Sequence, residues 1–202
     1  MNEYPLIIDG KPHTAYALFF RTHGSVLPEE LIKELGLTNY RKESAVIGFQ
    51  KHIVAIDDGS WIHLCADYSY DYWYDPEVLL STRIIATRYD TLILTFPDTD
   101  DSYEIEYWKD GVLNRRVFFE DTSVWKKTLN LRAKNLGEKL PAESHIKNGE
   151  DPVEGLWLVA ESLGISTNYE SSKIDLFVDK SPLERKNFSI AEARHGRGII
   201  QE

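Results

Sequence analysis

Residues 52–67 read HIVAIDDGSWIHLCAD, and this stretch decides how the chain is read. Two apolar runs rich in β-branched residues flank Asp57-Asp58-Gly59-Ser60. An Asp-Gly pair readily adopts the twisted primed turns that close a hairpin. A strand alternates its side chains between two faces. On the return strand, Trp61, His63, Cys65 and Asp67 therefore share one side, and Ile62, Leu64 and Ala66 share the other.

The same pattern extends in both directions. Tyr16 to Arg21 is apolar and aromatic and predicts a strand. Downstream, TLILTF, the polar loop 97–102, YEIEYW, the turn Lys109-Asp110-Gly111 and RRVFFE predict a second meander. Helices start at PEELIKELG, where Leu31, Ile32 and Leu35 share a face, and after Asp75-Pro76, Asp151-Pro152 and Ser181-Pro182, each a capping side chain before a proline. After Asp151, Val153, Leu156, Trp157, Ala160 and Leu163 line one stripe. Residues 132–150, with Gly137, Pro141, Asn148 and Gly149, read as an irregular connector. The expected fold is α+β, an antiparallel sheet of hairpins with a few flanking helices. Residues 1–150 form the sheet-containing domain, and 151–202 a C-terminal helical extension packed on it. That extension ends in a basic tail carrying Arg185, Lys186, Arg194 and Arg197.

The chain has 202 residues and 42% hydrophobic residues, enough to build a core. Its 33 acidic and 23 basic side chains give a net charge of −10. Such a field repels nucleic-acid phosphates and anionic lipid and favours a basic protein partner. The single Cys65 allows no intramolecular disulfide, and no apolar run approaches the ~20 residues of a membrane span. A cytoplasmic location is expected, with no secretion signal in MNEYPLIIDG.

Several clusters invite a chemical reading. His63, Cys65 and Asp67 at two-residue spacing suit a metal or a thiol–base pair, but there is no second ligand pair such as CxxC or HxxxH. A buried thiol in a core strand explains them. Glu104 and Glu106 point the same way along one strand, and a solvated strand face accounts for that pair. Asp98, Asp100 and Asp101 lack the glycine and distal Glu of a calcium loop. No phosphate-binding, dinucleotide, nucleophile-elbow or zinc-protease motif occurs. Neither a metal, a cofactor nor a catalytic residue is assigned.

The tract DYSYDYWYD, residues 67–75, is of another kind. Asp75 caps the following helix, whereas Asp67, Tyr68, Tyr70, Asp71, Tyr72, Trp73 and Tyr74 form the expected partner-binding set. Tyrosine and tryptophan bring large rigid rings with a polar handle, and aspartates match Lys or Arg across an interface.

Three pieces of sequence add a resemblance: Asp58-Gly59-Ser60-Trp61 entering a strand, Tyr107-Trp108-Lys109-Asp110-Gly111 leading to Arg115-Arg116, and Gly137-Glu138-Lys139-Leu140-Pro141. Together they resemble small acidic bacterial proteins of toxin–immunity clusters and their relatives, over roughly residues 45–145. The resemblance implies a noncatalytic inhibitor that occludes a toxin. Two other readings remain open on sequence alone. One is a small hydrolase-like enzyme with a pocket near His63, Asp67 and Glu104. The other is a self-assembling structural protein, for which a homodimer is the simplest state.

Overall fold

The computed structural model describes residues 7–8, 11–12, 14, 16–45, 51–66, 75–96, 102–121, 131–146, 152–167, 169 and 172–181. In chain order the strands and helices are β1 (Ile7–Ile8), β2 (Lys11–Pro12), β3 (Tyr16–Arg21), α1 (Pro28–Glu34), β4 (Tyr40–Glu43), β5 (His52–Asp57), β6 (Trp61–Ala66), α2 (Pro76–Ala86), β7 (Asp90–Thr95), β8 (Tyr103–Lys109), β9 (Val112–Asp121), β10 (Leu131–Leu136), α3 (Val153–Ser162) and β11 (Lys173–Asp179). Apart from the small β1–β2 pair, the strands form one antiparallel sheet of nine, in the order β10-β9-β8-β7-β3-β6-β5-β11-β4. The protein is α+β, as the hairpin pattern predicts.

Local chemistry explains the joints. At the β5–β6 hairpin, one carboxylate oxygen of Asp58 accepts from the backbone N–H groups of Ser60 and Trp61, at 2.9 and 2.7 Å. Its other oxygen accepts from Ser166 N–H at 3.3 Å, tying the hairpin to the loop after α3. At the β8–β9 turn, Asp110 and Gly111 both have positive φ, 52° and 76°, which a type I′ turn requires. Helix α2 starts where Asp75 accepts from Glu77 N–H at 2.8 Å. In α1 the Glu30 carboxylate reaches back to Leu27 N–H at 2.7 Å, and Leu31, Ile32 and Leu35 are buried.

Both faces of the sheet are covered. On one side Leu18, Phe20, Ile53, Ile62, Leu64 and Ile93 pack under α1 and α2 through Leu31, Ile32, Leu35, Val78 and Ile85. On the other, Phe19, Trp61, Leu92, Leu94, Ile105 and Phe119 pack under α3 through Leu156, Trp157, Val159 and Ala160. The alternation read from 61–66 is thus the division between the two cores.

Three expectations change. The C-terminal part is not a helical extension alone: β11 lies between β5 and β4, with Leu176 opposite Val54 on one side and Glu43 on the other. KIDLFVD was not recognised because a charged residue stands near each end of a short apolar run. The segment 132–150 is not wholly irregular either. LRAKNL pairs along β9, Leu131 facing Asp121 and Leu136 facing Arg116, and a 3-10 turn follows at Glu143–His145. Finally, Glu104 and Glu106 do not point into water. They occupy the α2 side of the sheet, where Ile93 stands opposite Glu106, and Glu106 is 4% exposed.

Candidate functional site

The sequence singles out three places, and the structure describes two of them, on opposite faces of the sheet. The partner-binding set Asp67, Tyr68, Tyr70, Asp71, Tyr72, Trp73 and Tyr74 lies outside the described residues. The residues on either side of it are described. Ala66 closes β6 fully buried, and its carbonyl accepts from the Thr14 hydroxyl at 2.9 Å. Asp75 caps α2 on the far side. The helix so begun buries Val78, Thr82, Ile85 and Ala86 against the sheet, and exposes Leu80 and Ile84 by 61% and 55%. These two stand four residues apart, hence one above the other on the outward face. The sequence reading missed them because a helix with apolar residues on both sides gives a blurred periodicity.

The second place is the β6 face beneath α3. His63 is buried and stacks on Phe19 at 4.1 Å between ring centroids, with Trp157 edge-on at 5.9 Å. Its Nε2 lies 3.1 Å from Cys65 Sγ, and its Nδ1 lies 3.2 Å from the Tyr169 hydroxyl. A neutral imidazole has one donor and one acceptor nitrogen, and a thiol and a phenol can satisfy both in either tautomer. Burial lowers the His63 pKa to about 3 and pushes the Cys65 thiol well up. Burial, with the nearby Cys65, Asp58 and Glu161, also raises the Tyr169 phenol. At neutral pH the three groups are uncharged, so they do not form a thiolate–imidazolium pair. They act as a polar knot that is satisfied within the core.

The third is the charged ladder on the opposite face. Arg116 reaches Glu104 at 3.1 Å and Glu106 at 3.4 Å, and Arg83 of α2 approaches Glu106 at 3.7 Å. Trp108 donates its indole N–H to Glu106 at 2.6 Å. Burial raises the Glu104 pKa, and the Arg116 guanidinium pulls it back. Two carboxylates threaded between two guanidiniums hold the sheet to α2. Of the set His63, Asp67 and Glu104 named for a hydrolase-like pocket, the two described residues, His63 and Glu104, are not brought together. His63 faces α3, Glu104 faces α2, and strands β3 and β7 lie between their own strands. Asp67, Asp98, Asp100 and Asp101 lie outside the described residues. Among the described residues no group of three or more His, Cys, Asp or Glu side chains could hold a metal ion. Among them, too, no helix is long and apolar enough to cross a membrane.

Of the three pieces of sequence that carry the immunity-type resemblance, Asp58–Trp61 closes the β5–β6 hairpin, and the other two meet around Arg115. Tyr107 pairs with Arg115 and Trp108 with Leu113, which leaves Asn114 as the extra residue of a bulge. The Arg115 guanidinium then binds the Leu136 and Gly137 carbonyls at 3.1 and 2.9 Å, the Asn135 side-chain oxygen at 3.0 Å, and the Glu143 carboxylate. These motif residues build a joint of the fold. No protein-family model matches the chain, and no curated protein or solved structure is significantly similar to it.

Proposed function

We propose that the chain is a noncatalytic binding protein of the immunity type, acting in the bacterial cytoplasm by covering a basic region of a protein partner. One observation carries this reading. The acidic, tyrosine-rich tract 67–74 runs into a helix whose outward face bears Leu80 and Ile84, each more than half exposed. An exposed apolar pair on a helix that follows in sequence on a tract of aromatic and acidic residues supplies the residue types of an interface centre and its charged rim. The net charge of −10 steers a cationic partner toward it. Among the described residues, the Cys65 thiol and the His63 imidazole lie on one face of the sheet, and the Glu104 and Glu106 carboxylates are ion-paired on the other.

The test starts from the reading frame adjacent to this one in the source genome. Expressed alone, its product is expected to stop growth, and co-expression of this chain is expected to restore it. Replacing Tyr72 and Trp73 with Ala should abolish rescue and lower affinity at least tenfold, with the thermal midpoint nearly unchanged. The reading falls if the variant rescues as well as the native chain, or if rescue occurs without a complex between the two proteins.

A further inference from the structure

Helix α2 has a committed side and an open one. Val78, Thr82, Ile85 and Ala86 are buried against the sheet, while Leu80 and Ile84 stand 61% and 55% exposed on the opposite side. The charged side chains of the helix are sorted too. Arg83 turns to one flank and approaches Glu106 at 3.7 Å, so it belongs to the ladder on β8 and β9. Glu77 is exposed near the start of the helix and pairs with no side chain among the described residues. Arg88 is exposed in the turn that continues α2, where its own N–H and that of Tyr89 reach the Ile85 carbonyl at 2.9 and 3.1 Å. One of its nitrogens is held by Glu34 of α1, and a guanidinium has further N–H donors to share.

The order of these residues along α2 is self-complementary. Leu80 and Ile84 lie about one turn apart, on either side of the level of Thr82. Glu77 and Arg88 are about three turns apart and so share one flank of the helix. Consider a second α2 antiparallel to the first, related to it by a two-fold axis level with Thr82. Leu80 then meets Ile84 of the other copy, and Ile84 meets its Leu80. The axis keeps each flank on its own side, so Glu77 falls beside Arg88 of the other copy, about 7–9 Å along the helix from the centre. The contact occurs twice, as in any isologous interface. Each N-terminal turn also lies beside the C-terminal turn of its mate, the favourable arrangement of two helix dipoles. A parallel pair would instead gather both Glu77 side chains at one end and both Arg88 side chains at the other.

We infer that α2 is a self-association surface through which two copies of the chain form an antiparallel, two-fold dimer. The apolar centre is two residues from each copy, and an interface built on one such helix falls short of the ~800 Å² per partner of stable complexes. The dimer is therefore weak, with a dissociation constant in roughly the micromolar range or above. The inference does not rest on the protein partner proposed above. Where both hold, that partner and the second copy compete for Leu80 and Ile84.

Sedimentation velocity of the full chain from ~5 to ~500 µM, without any partner, reads the association directly. The weight-average sedimentation coefficient is expected to rise with concentration toward that of a dimer. L80Q/I84Q should stay monomeric over the same range, with an unchanged circular dichroism spectrum. E77R sets a like charge against Arg88 and should weaken dimerisation about threefold or more at low salt, and R88E should do the same against Glu77. An equimolar mixture of E77R and R88E should associate at least as tightly as the native chain, because every flank contact then joins opposite charges. If R88E does not fold once its pair with Glu34 is lost, E77R and L80Q/I84Q decide alone. A native chain that stays monomeric to ~500 µM overturns the inference. So does a dimer that L80Q/I84Q leaves intact, which would place the interface elsewhere. A mixture that associates no more tightly than its components excludes the antiparallel register and overturns it as well.

Discussion

The Arg115 guanidinium and the Glu143 carboxylate meet at two points with both side chains buried, 3% and 8% exposed. Glu143 also accepts from Leu140 N–H at 3.0 Å, so the pair closes the turn after β10 onto β9. A buried charge stripped of its partner has lost water and gained nothing in return. Arg115→Met should therefore cost about 3–5 kcal/mol in urea denaturation. The double variant Arg115→Met/Glu143→Leu should recover much of that loss, since two apolar groups leave no charge behind. A single variant costing under ~1 kcal/mol would mean that β10 is held by its strand pairing alone.

Gly137 sits beside this clasp with φ of +78°, and a Cβ built there would lie 1.8 Å from the Asn114 carbonyl oxygen. Asn114 is the bulged residue, so its carbonyl belongs to a backbone already fixed by two hairpin partners. Gly137→Ala adds a left-handed backbone strain of about 1 kcal/mol to a contact that cannot relax without moving a strand. The expected loss is about 2–4 kcal/mol, read from the denaturation midpoint at unchanged slope. Full retention of stability would show that β10 can shift to make room.

Much of this architecture is legible before any coordinate is known. Alternation in WIHLCA separates the two cores because a strand buried on both sides still sends neighbouring residues to opposite faces. Asp75 as a cap and Asp110-Gly111 as a turn are local chemistry, and local chemistry survives folding. What stayed hidden depends on partners distant in sequence. The strand KIDLFVD is fixed by β5, more than a hundred residues earlier, and LRAKNL by a clasp from Arg115. Glu104 and Glu106 read as a wet face because nothing local announces that Arg83 and Arg116 will arrive to accompany them indoors. The tyrosine–aspartate tract 67–74 is legible only as composition, and composition names a kind of residue set without a partner.

His63 gives a pH signature. Its folded pKa is lowered by burial to about 3, against 6.5 when exposed. Between those values the unfolded chain binds a proton that the folded chain refuses, so stability rises with pH across that window and falls as the solution is acidified. The slope from this group is about 1.4 kcal/mol per pH unit at most. Glu104, whose pKa is raised by burial, titrates with the opposite sign. The clean readout is the difference between the native chain and His63→Gln at pH 4.5 and pH 7. The native chain should lose more stability on acidification than the variant, and parallel losses would mean that the imidazole is already protonated in the fold.

Cys65 is fully buried, its thiol pushed up by burial and facing a neutral imidazole. Thiolate is the reactive species, so iodoacetamide at pH 8 should leave the folded chain unlabelled over hours and label it quickly in urea. Labelling that tracks the unfolding curve is the expected result. Rapid labelling without denaturant would show the β6 face opening under α3.

Leu80 and Ile84 distinguish a surface made for a partner from one made for the fold. Both lie on the outward side of α2, whereas Ile85 on the same helix is 1% exposed. Leu80→Gln/Ile84→Gln keeps helix-forming residues and removes apolar area that already faces water, so stability should change by less than about 1 kcal/mol. Ile85→Gln buries an amide in the core and should cost about 3 kcal/mol or more. If α2 continues the docking face begun by the tyrosine tract, the outward pair should lower affinity for the toxin partner at least tenfold without loss of folded protein. If the pair binds as well as the native chain, α2 takes no part in the recognition proposed for residues 67–74.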